Sequence, residues 1–173
     1  VLTDSATLDV SYDAAAQAAL LTANGYNAAW MLAAPAAQQH LRVWLDVEIV
    51  SANNGNNLNS IGVALTGGNF LTQHLFNHAG QQALVYRSST SGGLGLITQL
   101  AANAATLPSS GRHTYELTSV PSNTAGSRDY TMAVDGGQVA AHTLAVTAPA
   151  ALLNAGIYLR SVTVKLHEVR LYG

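Results

Sequence analysis

The sequence predicts an all-β fold, an antiparallel two-sheet β-sandwich with at most one short helix near the amino terminus. Three observations carry that prediction. Between Arg128 and Val146, Tyr130, Met132 and Val134 alternate with polar or small residues, Asp135-Gly136-Gly137 intervenes, and Val139, Ala141 and Thr143 alternate again. Asp-Gly and Gly-Gly supply the positive φ angles of a tight turn, so this stretch reads as a β-hairpin with one buried face. From His40 to Val50, Leu41, Val43, Leu45, Val47 and Ile49 fall on one face and Arg42, Trp44, Asp46 and Glu48 on the other, the pattern of a strand packed on one side only. No long stretch of helical period competes, and no repeat of 20 to 50 residues suggests a solenoid.

The remaining elements follow in order. Thr7 to Val10 and Ala28 to Leu32 read as strands, while the Ala-rich Asp13 to Leu21, with a candidate cap at Asp13, is the possible helix. Asn53, Asn54, Gly55, Asn56 and Asn57 form a turn after the His40 to Val50 strand. Ile61 to Thr66, Phe70 to Asn77 (entered through Gly67-Gly68) and Ala83 to Arg87 are strands, Ser88 to Gly95 is loop-like, and Leu94, Leu96 and Leu100 mark a short strand. Pro108-Ser109-Ser110-Gly111 breaks the chain before a strand from Arg112 to Thr118. At the carboxyl end the apolar phase Val162, Val164, Leu166 resumes as Val169 and Leu171. That slip of one residue at His167-Glu168 predicts a β-bulge, because an unbulged strand would turn half of the apolar set towards water.

Composition bounds the class. The 173 residues are 49% hydrophobic, which suits one globular domain spanning 1–173, and no apolar run reaches the roughly 18 residues of a membrane helix. Charged residues are 9% against a usual figure of about 25%, with a net charge of -2. Seven scattered Lys and Arg residues form no basic stripe, so neither nucleic acid nor a membrane surface is an expected partner. The absence of Cys removes disulfides, thiol catalysis and thiolate metal sites. Val1-Leu2-Thr3-Asp4 is not a basic, apolar leader, so a secretory signal is expected to be removed or never present.

Arg112-His113-Thr114-Tyr115-Glu116-Leu117, then Tyr130 to Val134 into Asp135-Gly136, and the closing strand Val164 to Tyr172 resemble the carboxyl half of concanavalin A-like lectin domains, laminin G-like modules included. Trp30 to Leu32, Pro35 and the His40 to Val50 strand resemble their early strands, so the resemblance spans most of the chain. It implies a jelly-roll sandwich, one sheet gently concave, with the termini on neighbouring strands. Glycoside hydrolases of this fold carry Glu, Asp and Glu at alternating positions of one strand. Setting Asp46 and Glu48 against the second and third acids leaves Trp44 in the first acid's place, so the retaining pair is missing and both acids read as solvated face residues. The dense acid, Asn and His constellation of the metal-binding legume-type members has no counterpart either, which predicts no metal and no cofactor, a loop calcium being the one site the sequence leaves open.

No catalytic set emerges. His74 and His78 have helical chelate spacing but lie in a strand-to-turn context, and His40, His113, His142 and His167 stand alone as surface or hydrogen-bonded imidazoles. No nucleophile elbow or phosphate loop is present, so the chain is expected not to be an enzyme. The candidate ligand or interface residues are Arg42, Trp44, Asp46 and Glu48. Trp44 stands where the pattern expects solvent, and three roles compete in descending order: cover by a loop of its own chain, a subunit contact, and a platform on which a sugar ring stacks while Arg42 and Asp46 take its hydroxyls. Two functions follow. The charge deficit puts first a structural module of an ordered assembly, such as a phage capsid decoration protein, acting as a homo-oligomer at a virion surface or outside the cell. The resemblance supports the alternative, a carbohydrate-binding lectin-like domain of a secreted or cell-surface protein.

Overall fold

A computed structural model of the chain describes residues 8–24, 26–38, 40–52, 60–67, 70–78, 84–88, 94–99, 108, 110–145 and 152–173. Its strands are β1 (Leu8–Asp13), β2 (Ala18–Ala23), β3 (Tyr26–Gln38), β4 (Leu41–Ala52), β5 (Ser60–Gly67), β6 (Phe70–His78), β7 (Leu84–Ser88), β8 (Leu94–Gln99), β9 (Gly111–Pro121), β10 (Ser127–Val134), β11 (Gly137–Ala145), β12 (Leu152–Arg160) and β13 (Val162–Tyr172). They form two antiparallel sheets, a seven-stranded one in the order β1-β2-β13-β4-β9-β10-β11 and a six-stranded one in the order β3-β12-β5-β6-β7-β8. The Asn-rich turn at 53–59, Gly68, the loop residues 89–93, Leu100, Ser109 and Val146 lie outside the described residues, as do the side chains of Trp30, Pro35 and His78.

The core is the sum of the two inner faces. Leu41, Val43, Leu45, Val47 and Ile49 of β4, Tyr115 and Leu117 of β9, and Tyr130, Met132 and Val134 of β10 meet Ile61, Val63 and Leu65 of β5, Phe76 of β6 and Ile157 and Leu159 of β12. Each fully buried Val, Leu or Ile contributes about 1.5–3 kcal/mol, so a one-residue slip of β4 alone would forfeit about 10 kcal/mol. That penalty fixes the outward direction of Arg42, Trp44, Asp46 and Glu48.

The segment expected to be a helix is instead a hairpin. Asp13 does act as a cap, its Oδ1 accepting from the Ala15 and Ala16 N–H groups at 3.0 Å each, but it caps a turn that ends at Gln17 with φ +52°. From Ala18 the chain pairs with β1 on one side and β13 on the other and buries Leu21 and Ala23. Alanine propensity gives a nine-residue helix little stability of its own, and two sheet partners outcompete it. The first and last strands, β1 and β13, are not immediate neighbours, because β2 lies between them.

The β10–β11 hairpin turns on Asp135 (φ +49°) and Gly136 (φ +77°), the two positive angles of a type I′ turn. It is tied to β9: the Asp135 N–H donates to the Thr114 carbonyl at 2.9 Å, Asp135 Oδ1 accepts from the Thr114 N–H at 2.9 Å, and His113 Nδ1 lies 2.7 Å from Asp135 Oδ2. This clamp is the physical content of the His-Thr-Tyr strand and the Asp-Gly turn that stand together in the sequence. One expectation shifts. Met132 faces Ala140 and Ala133 faces Gln138, so Val139 is an extra, bulged residue, and beyond it Ala140, His142 and Leu144 point inward in place of Ala141 and Thr143.

Partial burial raises the Asp135 carboxyl, but the hydrogen bonds from Thr114 and His113 outweigh it and hold the group below the usual carboxylate range. Asp135→Ala should lower stability by about 1–2 kcal/mol in urea unfolding, through the lost hydrogen bonds and the strained turn. Asp135→Asn, which tolerates the positive φ and keeps an acceptor for Thr114, should recover more than half of that loss. Equal losses would show that the clamp contributes nothing.

Candidate functional site: the outer face of the seven-stranded sheet

β4 lies between β13 and β9, and alternation turns its even-numbered residues from Arg42 to Glu48 outward. The two neighbours complete the face. On β9, Arg112, Thr114, Glu116 and Thr118 stand opposite Glu48, Asp46, Trp44 and Arg42 respectively. On β13 the register shifts between Leu166 and Glu168, leaving His167 as the extra residue. As the sequence predicts, the shift keeps Val169 and Leu171 against the core. Its second effect is on the outer face, where it puts Glu168 opposite Asp46, Arg170 opposite Trp44 and Tyr172 opposite Arg42. A continuous register would have turned Arg170 and Tyr172 inward.

The charged groups on this face are paired, Arg112 with Asp46 and Arg42 with Glu116 across strands and Arg170 with Glu168 along β13. Arg112 holds Asp46 in a bidentate bond, Nε to Oδ1 at 2.8 Å and Nη2 to Oδ2 at 2.6 Å. Arg42 Nη2 donates to Glu116 Oε2 at 2.7 Å, and Arg170 donates twice to Glu168 at 2.6 and 2.8 Å. His167 Nε2 lies 3.2 Å from Glu48 Oε2, and Lys165 Nζ reaches Asp13 Oδ2 at 3.1 Å. The Arg170 guanidinium sits 4.7 Å from the centroid of the Trp44 ring, and that of Arg42 lies 5.5 Å from the Tyr172 ring. Trp44 is thus half-buried, with Arg170 of the neighbouring strand β13 over its ring. Half of the chain's Lys, Arg, Asp and Glu residues occupy the outward positions of these three strands.

The four residues singled out from the sequence therefore share one line on one face, but Arg42 and Asp46 do not pair with each other. Each recruits a partner that sequence reading missed: Glu116 for Arg42, Arg112 for Asp46 and Arg170 for Trp44. Alternation within Arg112 to Thr118, and the bulge itself, fix which way those partners point. The missing information is which strands flank β4, since β9 and β13 are far from it in the chain.

Two chemical consequences follow. The hydrogen bond from Arg112 holds the Asp46 carboxyl below its ordinary value, which suits a fixed acceptor and makes Asp46 a poor general acid. Among the described residues no group of three or more His, Cys, Asp or Glu side chains could hold a metal ion. Elsewhere, His113 is hydrogen-bonded as expected, His40 is exposed, and His142 departs from its expected isolation by packing in the core against Tyr130 and His74.

No protein-family model matches the sequence, and no curated protein matches it. Solved structures do match. The fold is similar to the carbohydrate binding module CBM66 from Bacillus subtilis over 100% of this chain and 94% of that one, with a TM-score of 0.60 and 9% identity. It is similar to Caenorhabditis elegans galectin LEC-6 over 82% and 89% of the two chains, with a TM-score of 0.53 and 13% identity. It also matches 34% of the length of a GH43 glycoside hydrolase with 89% of this chain, at a TM-score of 0.58 and 13% identity. The fold is the concanavalin A-like lectin sandwich. It is shared with carbohydrate-binding modules and galectins.

The Asp46–Arg112 pair has a pH signature. A carboxylate with a depressed folded pKa contributes stability above its unfolded value of about 3.9 and loses it as pH falls through the lower folded value. Asp46→Asn should remove that acid slope, and a double-mutant cycle with Arg112→Ala should give a small favourable coupling at pH 7 that shrinks with added salt, as the half-exposed arginine dictates. A coupling of zero would reduce the pair to a crystallographic-type contact without energetic weight.

Proposed function

We propose that this chain is a carbohydrate-binding domain whose ligand lies on the outer face of the seven-stranded sheet, around Trp44. The observation that carries the reading is the array itself: a half-exposed indole flanked by charged groups that neighbouring strands already hold in place. Saccharides offer apolar ring faces and dense hydroxyls. An aromatic ring meets the first, and carboxylates and guanidiniums fixed in advance meet the second without a further ordering cost. Arg42, Arg112 and Arg170 each carry a carboxylate partner, so the face has little net charge and favours a neutral saccharide over a sulfated or sialylated one.

The fold shared with a carbohydrate binding module and a galectin supports this reading. It also favours the second of the two functions expected from sequence, a carbohydrate-binding lectin-like domain. Capsid decoration rests on the overall charge deficit, and the structure weakens that footing by showing the charge gathered on one face instead of missing from the whole surface. The bound carboxylates and the arginine-held Asp46 make the face a binding surface in this proposal, not a hydrolytic one.

Screening the purified chain on an array of neutral and anionic glycans should give neutral hits. Trp44→Ala should weaken the best of them at least about tenfold, equivalent to about 1.4 kcal/mol, with an unchanged circular dichroism spectrum. Retained affinity in the variant would remove this face from recognition, and loss of self-association on light scattering, with no glycan bound by the parent, would assign Trp44 to a subunit contact.

A further inference from the structure

Among the described strands β11 is an edge strand, hydrogen-bonded to β10 alone. Of its inward side chains, Ala140 is buried and His142 and Leu144 are half-buried, and His142 is the one that makes ring contacts to both sheets. Its ring stacks on Tyr130 of β10 at 5.2 Å and 12°, and it meets His74 of β6, in the opposite sheet, at 5.3 Å. His74 in turn packs on Tyr130 at 4.4 Å. His74 is fully buried, with Nε2 3.1 Å from Thr72 Oγ1. Its Nδ1 and both ring nitrogens of His142 are out of solvent contact and have no hydrogen-bond partner among the described residues.

Two imidazoles in such a place are tolerable only while neutral, since a buried charge needs a counter-ion or hydrogen bonds. Among the described residues the surroundings provide no counter-ion. From β10, Arg128 and Tyr130 share the inward face; from β6, His74 is flanked by Thr72 and Phe76; from β9, Tyr115 packs on Phe76; and Arg87 of β7 holds the register position opposite Thr72. None is a carboxylate, and Arg128 has the same sign as a protonated His142.

We propose that the His74–His142 pair is an acid-operated latch, which closes edge strand β11 onto the sandwich while both rings are neutral and releases it when His142 takes a proton. The inference rests on the interior alone and stands whether or not the outer face binds saccharide. Burial pushes His142 down to about 4 and His74 well below its ordinary value, His74 further lowered by His142. Released, His142 returns to the ordinary value of about 6.5, so the open form binds more protons throughout the window from about 6.5 to 4. Closure is therefore complete above about pH 7 and weakens as pH falls, with the open fraction of β11 rising about 30-fold by pH 5.

The test is amide hydrogen exchange of the whole chain, corrected for intrinsic rates, from pH 7.5 to 4.5. Protection in β11 should fall about 30-fold by pH 5 while β4 and β13 stay protected. His142→Phe, which keeps the stack on Tyr130 without a titrating group, should abolish the pH dependence, with His142→Leu as a second non-titrating variant should the larger ring not be accommodated. Protection in β11 that is independent of pH in the parent, or an equal fall in a folded variant, would overturn the latch. So would a His142 imidazole that titrates above 6 in the folded protein by NMR.

Discussion

One inserted residue reconciles the two faces of the seven-stranded sheet. β13 needs Val162, Val164 and Leu166 on the core side in its first half and Val169 and Leu171 in its second, and strict alternation cannot deliver both. The bulge at His167 resolves the conflict, and because side chains alternate, the same half-step that keeps the apolar set dry turns Glu168, Arg170 and Tyr172 onto the outer face. Arg170 over Trp44 and Arg42 over Tyr172 both descend from that step. The candidate surface is a by-product of core packing, and the core fixes which side chains face it.

The second theme is where charge has been placed. A chain with few charged residues could have scattered them for solubility. Here half of them line the outward positions of β4, β9 and β13, four of them in cross-strand ion pairs, while the buried Arg128 bonds to the hydroxyl and carbonyl of Ser119. Charge in this molecule holds a surface in a fixed arrangement, and the interior imidazoles are the counterpart, groups kept neutral where no opposite charge reaches them.

Much of the fold was legible in the sequence because period-two alternation is a local signal. β4, the Asp135-Gly136 turn and the bulge at His167 could all be located from residues within a few positions of one another. What failed were contests between local and non-local terms. Asp13 to Leu21 carries alanine propensity and a real cap, yet pairing with β1 and β13 outweighs both. The bulge at Val139 reversed the phase of β11 without any apolar slip to announce it, and His142 went inward unnoticed. The site was half legible: Arg42, Trp44, Asp46 and Glu48 share a strand, whereas Arg112, Glu116 and Arg170 reach them through pairings between distant segments.

The central claim is the register of β13 against β4, and inter-strand backbone NOEs in the isotope-labelled protein measure it directly. The NOEs should place Arg170 opposite Trp44 and Glu168 opposite Asp46, with His167 unpaired between them. NOEs placing Val169 opposite Trp44 in an unbroken ladder would contradict it, since Arg170 and Tyr172 would then leave the outer face and the proposed binding surface would lose one of its three strands.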